Sequence, residues 1–399
     1  MALRTGASFL HFITRMKRFL AGSVLTFMNQ QVTMRLLWVL DNIPGLREAV
    51  RRGEVMFGTL DTYLLYRLSG GKTHVTDASN ASATGMFDPF TMTWATWAES
   101  VFNIPFSILP PVGDSAAPSV TVATVDVWGA EIKVSCSMAD QGAALFGSCC
   151  FTPGDIKVTM GTGAFLNVNT GNKPHASTSG LYPVVGWRIG ADTTYVAEGA
   201  SNDAGTLVNW AINNGLLENP QESAKIANLV PDSDEIFFMP AFNGLQAPIN
   251  DGRAAAGFLG IRASSNRENL VRAILESIAF RVTQLVRVMH EESDVPQRNI
   301  RVDGGVSLND FVIQLIADLT GHPVERPSST EMSVLGAGFM AGIAAGVWSS
   351  KEELKNLRHI ERVFQPNIQR HKFYMTKMAK WERALQRFLC WYDDEQVCF

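Results

Sequence analysis

Hydrophobic residues recur along the chain at two different spacings, and the change from one to the other marks its elements. DIKVTMGTGAFLNVNTG (155–171) alternates apolar and polar positions, so it predicts two short β runs meeting at Gly161-Thr162-Gly163. TTYVAEG (193–199) predicts a further strand, and a helix follows from Ala204 to about Leu217. In ENLVRAILESIAFRVTQLVRVMHEE (268–292), Leu270, Ile274, Ile278, Val282, Leu285 and Val286 repeat at helical spacing. NIRVDGG (299–305) reads as a strand stopping on a double glycine, and SLNDFVIQLIADLTG (307–321) as a helix opened by a serine cap and closed by glycine. HPVERP predicts an edge strand, EMSVLGAGFMAGIAAG (331–346) a small-residue helix packed on the sheet, and 365–399 one amphipathic helix. Upstream, helices are expected over 33–51 and 57–69, a loop over 75–89 and a strand in EIKVSCSM (131–138). The small, apolar run after Asp140 predicts a buried helix.

Strands and helices in this order describe an α/β domain with a glycine turn at each end of a cleft. Glycine lets a backbone approach a ligand and aim N–H groups at phosphate, so the pattern suggests nucleotide binding between two domains. Composition narrows the class. The 399 residues are 46% hydrophobic and 18% charged, with a net charge of −4 and dispersed basic residues, which argues against nucleic acid as the main partner. The five cysteines show no CxxC spacing and read as free thiols, and the seven histidines are scattered singly. No apolar run is long enough for a membrane span. The first 40 residues carry Arg4, Arg15, Lys17, Arg18 and Arg35 and no acid before Asp41. That bias suits a mitochondrial transit peptide, whereas SFLHFITRMKRFL (8–20) also reads as an ordinary amphipathic helix of a cytoplasmic protein.

Asp140 stands alone among the nine uncharged residues of MADQGAALFG (138–147), where a strand hands over to a helix. A carboxylate at that place either caps the helix or does chemistry, and position leaves both readings open.

FGTLDTYLLYRLSGGKTHVTDASNAS (57–82), ADQGAALFG (139–147), MGTGAF (160–165) and RVDGGVSLNDF (301–311) together resemble the FGGY carbohydrate kinases. PAFNGLQAP (240–248), VRAILESIAFR (271–281) and VLGAGFMAGIAAGVW (334–348) extend the match, which keeps its order and spacing from about residue 30 to 350 and sits nearest an atypical glycerol-kinase-like branch. The resemblance implies an actin-like (ribonuclease H-like) α/β fold with two domains and a nucleotide cleft between them. It divides the chain into 1–149 (substrate and catalytic domain), 150–348 (nucleotide domain) and 349–399 (a helical extension). It implies ATP and Mg2+ as cofactors, glycerol or a similar polyol as substrate, and ADP as product, and it is compatible with a homo-oligomer.

Residue by residue, Asp140 matches the family's catalytic base, which also lies near the metal. Gln141 and Phe165 match substrate contacts. Gly161, Thr162 and Gly163 match a phosphate hairpin, and Gly205, Asn209, Gly304, Gly305 and Asn309 match nucleotide contacts. The match also has gaps. The family's opening Asp-x-Gly-Thr hairpin has no counterpart, nor do the arginine, glutamate and tryptophan that grip the glycerol hydroxyls, so the first domain is expected to be truncated. Gln30 stands where the family has a glycerol-contacting tyrosine, Arg35 replaces a lysine, and Ile249-Asn250 replaces an aromatic pair. The expected activity is therefore glycerol phosphorylation, with a catalytically impaired nucleotide-binding pseudokinase or shortened isoform as the alternative. An actin- or chaperone-type ATPase leaves DQGAALFG and GLQAP unexplained.

Overall fold

The structure, a computed structural model, describes residues 31–116, 122–123, 129–293 and 295–393, together with Phe9, His11–Arg15, Phe19 and Gly22. Gln30 lies outside the described residues, as do Ser8, Leu10, Met16, Lys17, Arg18 and Leu20 of the helix expected over 8–20.

Among the described helices of the first domain are α1 (Val32–Asn42), α2 (Leu46–Arg51) and α3 (Leu60–Leu68). The single helix expected over 33–51 is thus two. Pro44 drives Ile43 into extended backbone at ψ 115°, and Gly45 turns left-handed at φ 76°. The segment expected to be a loop over 75–89 contains α4 (Ala78–Ala83). Its cap is the buried Asp77, whose carboxylate accepts from the backbone N–H groups of Ser79 at 3.0 Å and Asn80 at 2.9 Å. That cap was hidden among neighbouring turn formers. The strand expected over 131–138 shrinks to Ile132–Lys133, with a single bridge from Cys136 to Ala116. Leu36, Leu40, Val50, Met86, Ile104 and Ile108 form this domain's core.

The second domain is built on a seven-stranded mixed sheet. Its strands are β1 (Ile156–Met160), β2 (Ala164–Gly171), β3 (Tyr182–Ile189), β4 (Asp192–Ser201), β5 (Ile300–Asp303), β6 (Val324–Pro327) and β7 (Ile360–Phe364). They lie in the order β7-β6-β5-β1-β2-β4-β3, with β5 parallel to β1 and β6 and the other pairs antiparallel. The sequence reading missed β3 and β7. Because β7 covers β6, HPVERP is an inner strand and not the edge. β7 also ties residues beyond 348 into this sheet, so they form more than a helical extension.

Alternation gives the sheet two unlike faces. Ile156, Val158 and Met160 of β1 and Ala164, Leu166 and Val168 of β2 enter the main core. There they meet the buried helix α7 (Arg267–Glu292), with α6 (Gly205–Asn213) before it and α8 (Asp310–Thr320) after it. α7 starts on a capping box in which Asn266 and Asn269 each bond the other's backbone N–H. The cap of α8 is Asn309; Ser307, expected in that role, lies in the 3-10 turn before it. Buried Arg272 bonds Glu276 at 3.0 Å and the Tyr374 hydroxyl at 2.6 Å, so the charge is paired where it cannot be hydrated. The C-terminal helix α10 (Ile368–Leu385) buries Tyr374, Met378 and Trp381 in the same core, and the Trp381 indole donates to the Phe238 carbonyl at 2.8 Å. It ends earlier than the sequence pattern suggests, and Phe388 then folds against Gly257.

On the opposite face α5 (Asp140–Gly147) and α9 (Met332–Ala344) cross at very close range. The small residues of α9 serve packing, as expected, but against α5 and not the sheet. A Cβ on Gly336 would collide with the Ala143 carbonyl, and one on Gly147 with the Met332 carbonyl. Gly336→Ala should therefore push α5 off its seat and cost about 1–3 kcal/mol, read as a lower denaturation midpoint. At the far end of α7, Glu292 accepts from the backbone N–H and hydroxyl of Thr178, both at 2.9 Å. Burial works to raise its pKa, but hydrogen bonds from Ser177, Ser179 and Thr178 outweigh it and hold the carboxyl down at about 2. A depressed carboxyl contributes stability above its unfolded value and loses it as the pH falls towards the folded one. Glu292→Gln should lose on the order of 1 kcal/mol at neutral pH. It should also flatten the fall in stability between about pH 4.5 and 2 in acid-unfolding curves.

Candidate active site

The site is assembled on the polar face of the sheet. Strand register sets Lys157 opposite Asn167, Asn167 opposite Glu198 and Thr159 opposite both Phe165 and Asp303. Residues directly opposite one another share a face, so β5, β1, β2 and β4 present a continuous polar row beneath α5.

Asp140 is the first residue of α5. The cap position is Ala139, and no side chain caps this helix. The Asp140 carboxylate is exposed and accepts from the Gln141 N–H at 2.7 Å. As the carboxylate of a first turn it is favoured by the helix dipole. The backbone just before it is held from the first domain, because the Ala139 N–H donates to the Ser79 hydroxyl at 2.8 Å, which in turn donates to Asp77 at 2.7 Å. Buried Asp77 thus sets both α4 and the entry to α5.

Asp140, Gln141, Phe165, Asn167, Glu198 and Ser79 line one cleft of about 220 Å3, with Val184, Val185 and Val196 as apolar wall. Three sequence-expected residues, Asp140, Gln141 and Phe165, meet there. Below them Lys157 is fully buried and donates to the Gln141 side-chain oxygen at 2.8 Å. Burial pushes its pKa down, and the charges of Asp303, Glu198 and Asp140 oppose that shift. Burial raises the Glu198 carboxyl, against a hydrogen bond from Asn167 at 2.8 Å and the charge of Lys157. Asp303 is likewise raised by burial and lowered by Lys157. Among the described residues Asp303 Oδ1, Thr159 Oγ1 and Asn167 Oδ1 are buried with no hydrogen-bond partner, an unusual concentration at one end of a sheet.

The glycine turns adjoin this cleft. Gly161-Thr162-Gly163 closes the β1–β2 hairpin two residues before Phe165. The Gly161 carbonyl accepts from the Gly205 N–H at 3.0 Å, and the Thr162 carbonyl from Ala204 at 3.0 Å and Thr206 at 3.1 Å. In a trans peptide the N–H points opposite to the carbonyl. The Thr162 and Gly163 N–H groups therefore face away from α6, on the open side of the turn. Gly205 is required for this contact, since a Cβ would lie 2.5 Å from the Gly161 oxygen. On the other flank Gly304 has φ +82°, and a Cβ there would lie 2.6 Å from the Met160 oxygen. Gly205, the hairpin and Gly304 are thus in mutual backbone contact, with Gly305 next to them and Asn209 exposed on α6. Asn309 uses its side chain internally, accepting from Val312 N–H at 3.1 Å to cap α8 and donating to Ser223 at 2.9 Å.

Sequence reasoning did not single out Lys157, Asn167, Glu198 or Ser79. Lys157 carries a signal in retrospect, as a polar residue alternating with Ile156, Val158 and Met160 of β1.

Comparison with known proteins gives the family. Models of the N-terminal and C-terminal domains of the FGGY family of carbohydrate kinases match residues 13–147 and 156–345. Glycerol kinase 5 of Danio rerio is 49% identical over 389 residues, covering 96% of this chain and 73% of the relative. Glycerol kinase 5 of Homo sapiens is 45% identical over 384 residues, covering 96% and 72%. The crystal structure of Plasmodium falciparum glycerol kinase with ADP superimposes with a TM-score of 0.82 at 29% identity, over 90% of this chain and 71% of that one. The chain belongs to the FGGY family of carbohydrate kinases, in its glycerol-kinase-like part, and is a phosphotransferase with an alcohol group as acceptor.

Proposed function

We propose that the chain transfers the γ-phosphoryl group of ATP to a terminal hydroxyl of glycerol, or of a polyol of similar size, giving glycerol 3-phosphate and ADP. The observation that carries this reading is the Asp140 carboxylate, left free of any capping duty and exposed in a cleft beside the glycine hairpin. Phosphoryl transfer needs its nucleophile positioned, its proton accepted and the phosphate charge neutralised. Asp140 takes the proton as the hydroxyl attacks. Phe165 packs on the polyol carbons, and Gln141 offers its amide to a hydroxyl. The outward N–H groups of Thr162 and Gly163, with the Thr162 hydroxyl, receive the phosphates. Gly304, Gly305, Gly205 and Asn209 border the nucleoside, and Asn309 caps the helix that follows the Gly304-Gly305 turn.

Among the described residues no cluster of three or more acidic, histidine or cysteine side chains forms a closed metal cage. Magnesium suits such a place, because it is commonly held by one or two carboxylates together with substrate phosphates. Asp140, exposed, and Asp303, whose Oδ1 is buried without a partner, are the carboxylates that would hold it. The ion would neutralise charge on the transferring phosphate.

ADP formation by the purified chain with Mg-ATP should depend on glycerol. Asp140→Asn should lower kcat by about 10²- to 10⁴-fold while ADP binding persists. A folded chain that binds ATP but forms no ADP with glycerol or other small polyols would instead be a nucleotide-binding protein acting through protein contacts. Gly304→Ala should weaken ADP binding at least about tenfold, measured by calorimetry, because the new side chain strains the backbone and presses on the hairpin.

A further inference from the structure

Lys157 is a cation buried in the floor of the cleft, and its surroundings are unusual for one. Among the described residues no carboxylate lies within ion-pair distance, and its hydrogen bond goes to the uncharged Gln141, at 2.8 Å. A buried ammonium without an ion pair is costly, so packing alone does not account for it. The bond has a definite polarity. Lys157 Nζ donates to the Oε1 end of the Gln141 amide, the end held by a group that donates. The NH2 end is then the one left for the cleft that Gln141 lines.

We propose that Lys157 is a positioning residue that locks the Gln141 amide with its NH2 group toward the acceptor alcohol, making Gln141 a hydrogen-bond donor to the polyol. This rests on the polyol reading of the cleft. The remaining polar groups there fit the same arrangement. Asp140, Glu198 and the unpartnered Asn167 Oδ1 are acceptors. A polyol hydroxyl that gives its proton to one of them still has lone pairs to fill, and Gln141 supplies the donor. Freed from Lys157, the amide would flip between two orientations of similar energy, one of which sets its oxygen against the substrate oxygen. Lys157 sits on β1 and Gln141 on α5, so the lock also joins the strand leading into the phosphate hairpin to the helix carrying Asp140.

The test is calorimetric binding of glycerol to the full chain with ADP present, a readout that does not require turnover. Lys157→Met should weaken glycerol binding about tenfold, the worth of one well-placed hydrogen bond, and leave ADP affinity within about twofold. Gln141→Leu should show the same loss, and the double variant should be no worse than either single one, because the two residues act through one contact. Full glycerol affinity in Lys157→Met, or losses that multiply in the double variant, would overturn the proposal. Should Lys157→Met fail to fold, Gln141→Glu decides: it keeps a partner for the ammonium and removes the donor, so glycerol binding should fall about tenfold with no drop in Tm. Unchanged binding in that variant would sink the donor role. If the unaltered chain binds ADP but no glycerol at any concentration, the polyol reading itself falls, an outcome distinct from a failure confined to the variants.

Discussion

The site depends on a sheet that hides one face in hydrocarbon and shows the other to a cleft. Period-two alternation makes this possible on β1 and β2 with no change of backbone. Ile156, Val158, Met160, Leu166 and Val168 meet the buried α7, while Lys157, Thr159, Phe165 and Asn167 point the other way. The apolar side fixes register, because a slip of one residue would exchange the faces. Register in turn places Lys157, Asn167 and Glu198 in one row. This polar row is thus positioned by the hydrophobic core on the opposite side of the same strands.

Close helix contact is the second constraint. α5 carries Asp140 at its start and glycines at 142 and 147, and the crossing with α9 leaves no room for a Cβ at Gly147 or Gly336. Ala143, Leu145 and Phe146 are buried along the same helix, and Phe146 meets Trp187 edge to face with ring centres 5.1 Å apart. A helix held on so many sides presents the Asp140 carboxylate in a fixed place. From the first domain, Asp77 and Ser79 add a hydrogen-bonded link to the residue before Asp140, so both domains take part in placing it.

The glycine turns show how a family pattern becomes geometry. DGG and GTG are short and common as sequence, yet here Gly304 and Gly205 press on the same hairpin from two flanks. Their lack of side chains permits backbone-to-backbone approach, and the carbonyl directions fix where the hairpin N–H groups point. Asn309 spends its side chain within the fold, capping α8 and bonding Ser223.

The sequence by itself determined the two hydrophobic periods, and with them the β1–β2 hairpin, β4, β5, α7 and the small-residue helix α9. Motif order also singled out Asp140, Gln141, Phe165 and the glycine turns. The break at Pro44-Gly45 is a local signal that the continuing apolar period over 33–51 masked, whereas α4 stayed hidden among turn formers, because its cap on Asp77 depends on one buried carboxylate. β7 has four exposed positions and only Phe364 buried, so it carries little apolar signal. Tertiary structure alone decided that Asp140 is not a cap, that α9 packs on α5, and that Lys157 bonds Gln141. The last two join residues distant in sequence, and contact between them follows from sheet register and helix crossing, which no single stretch of chain encodes.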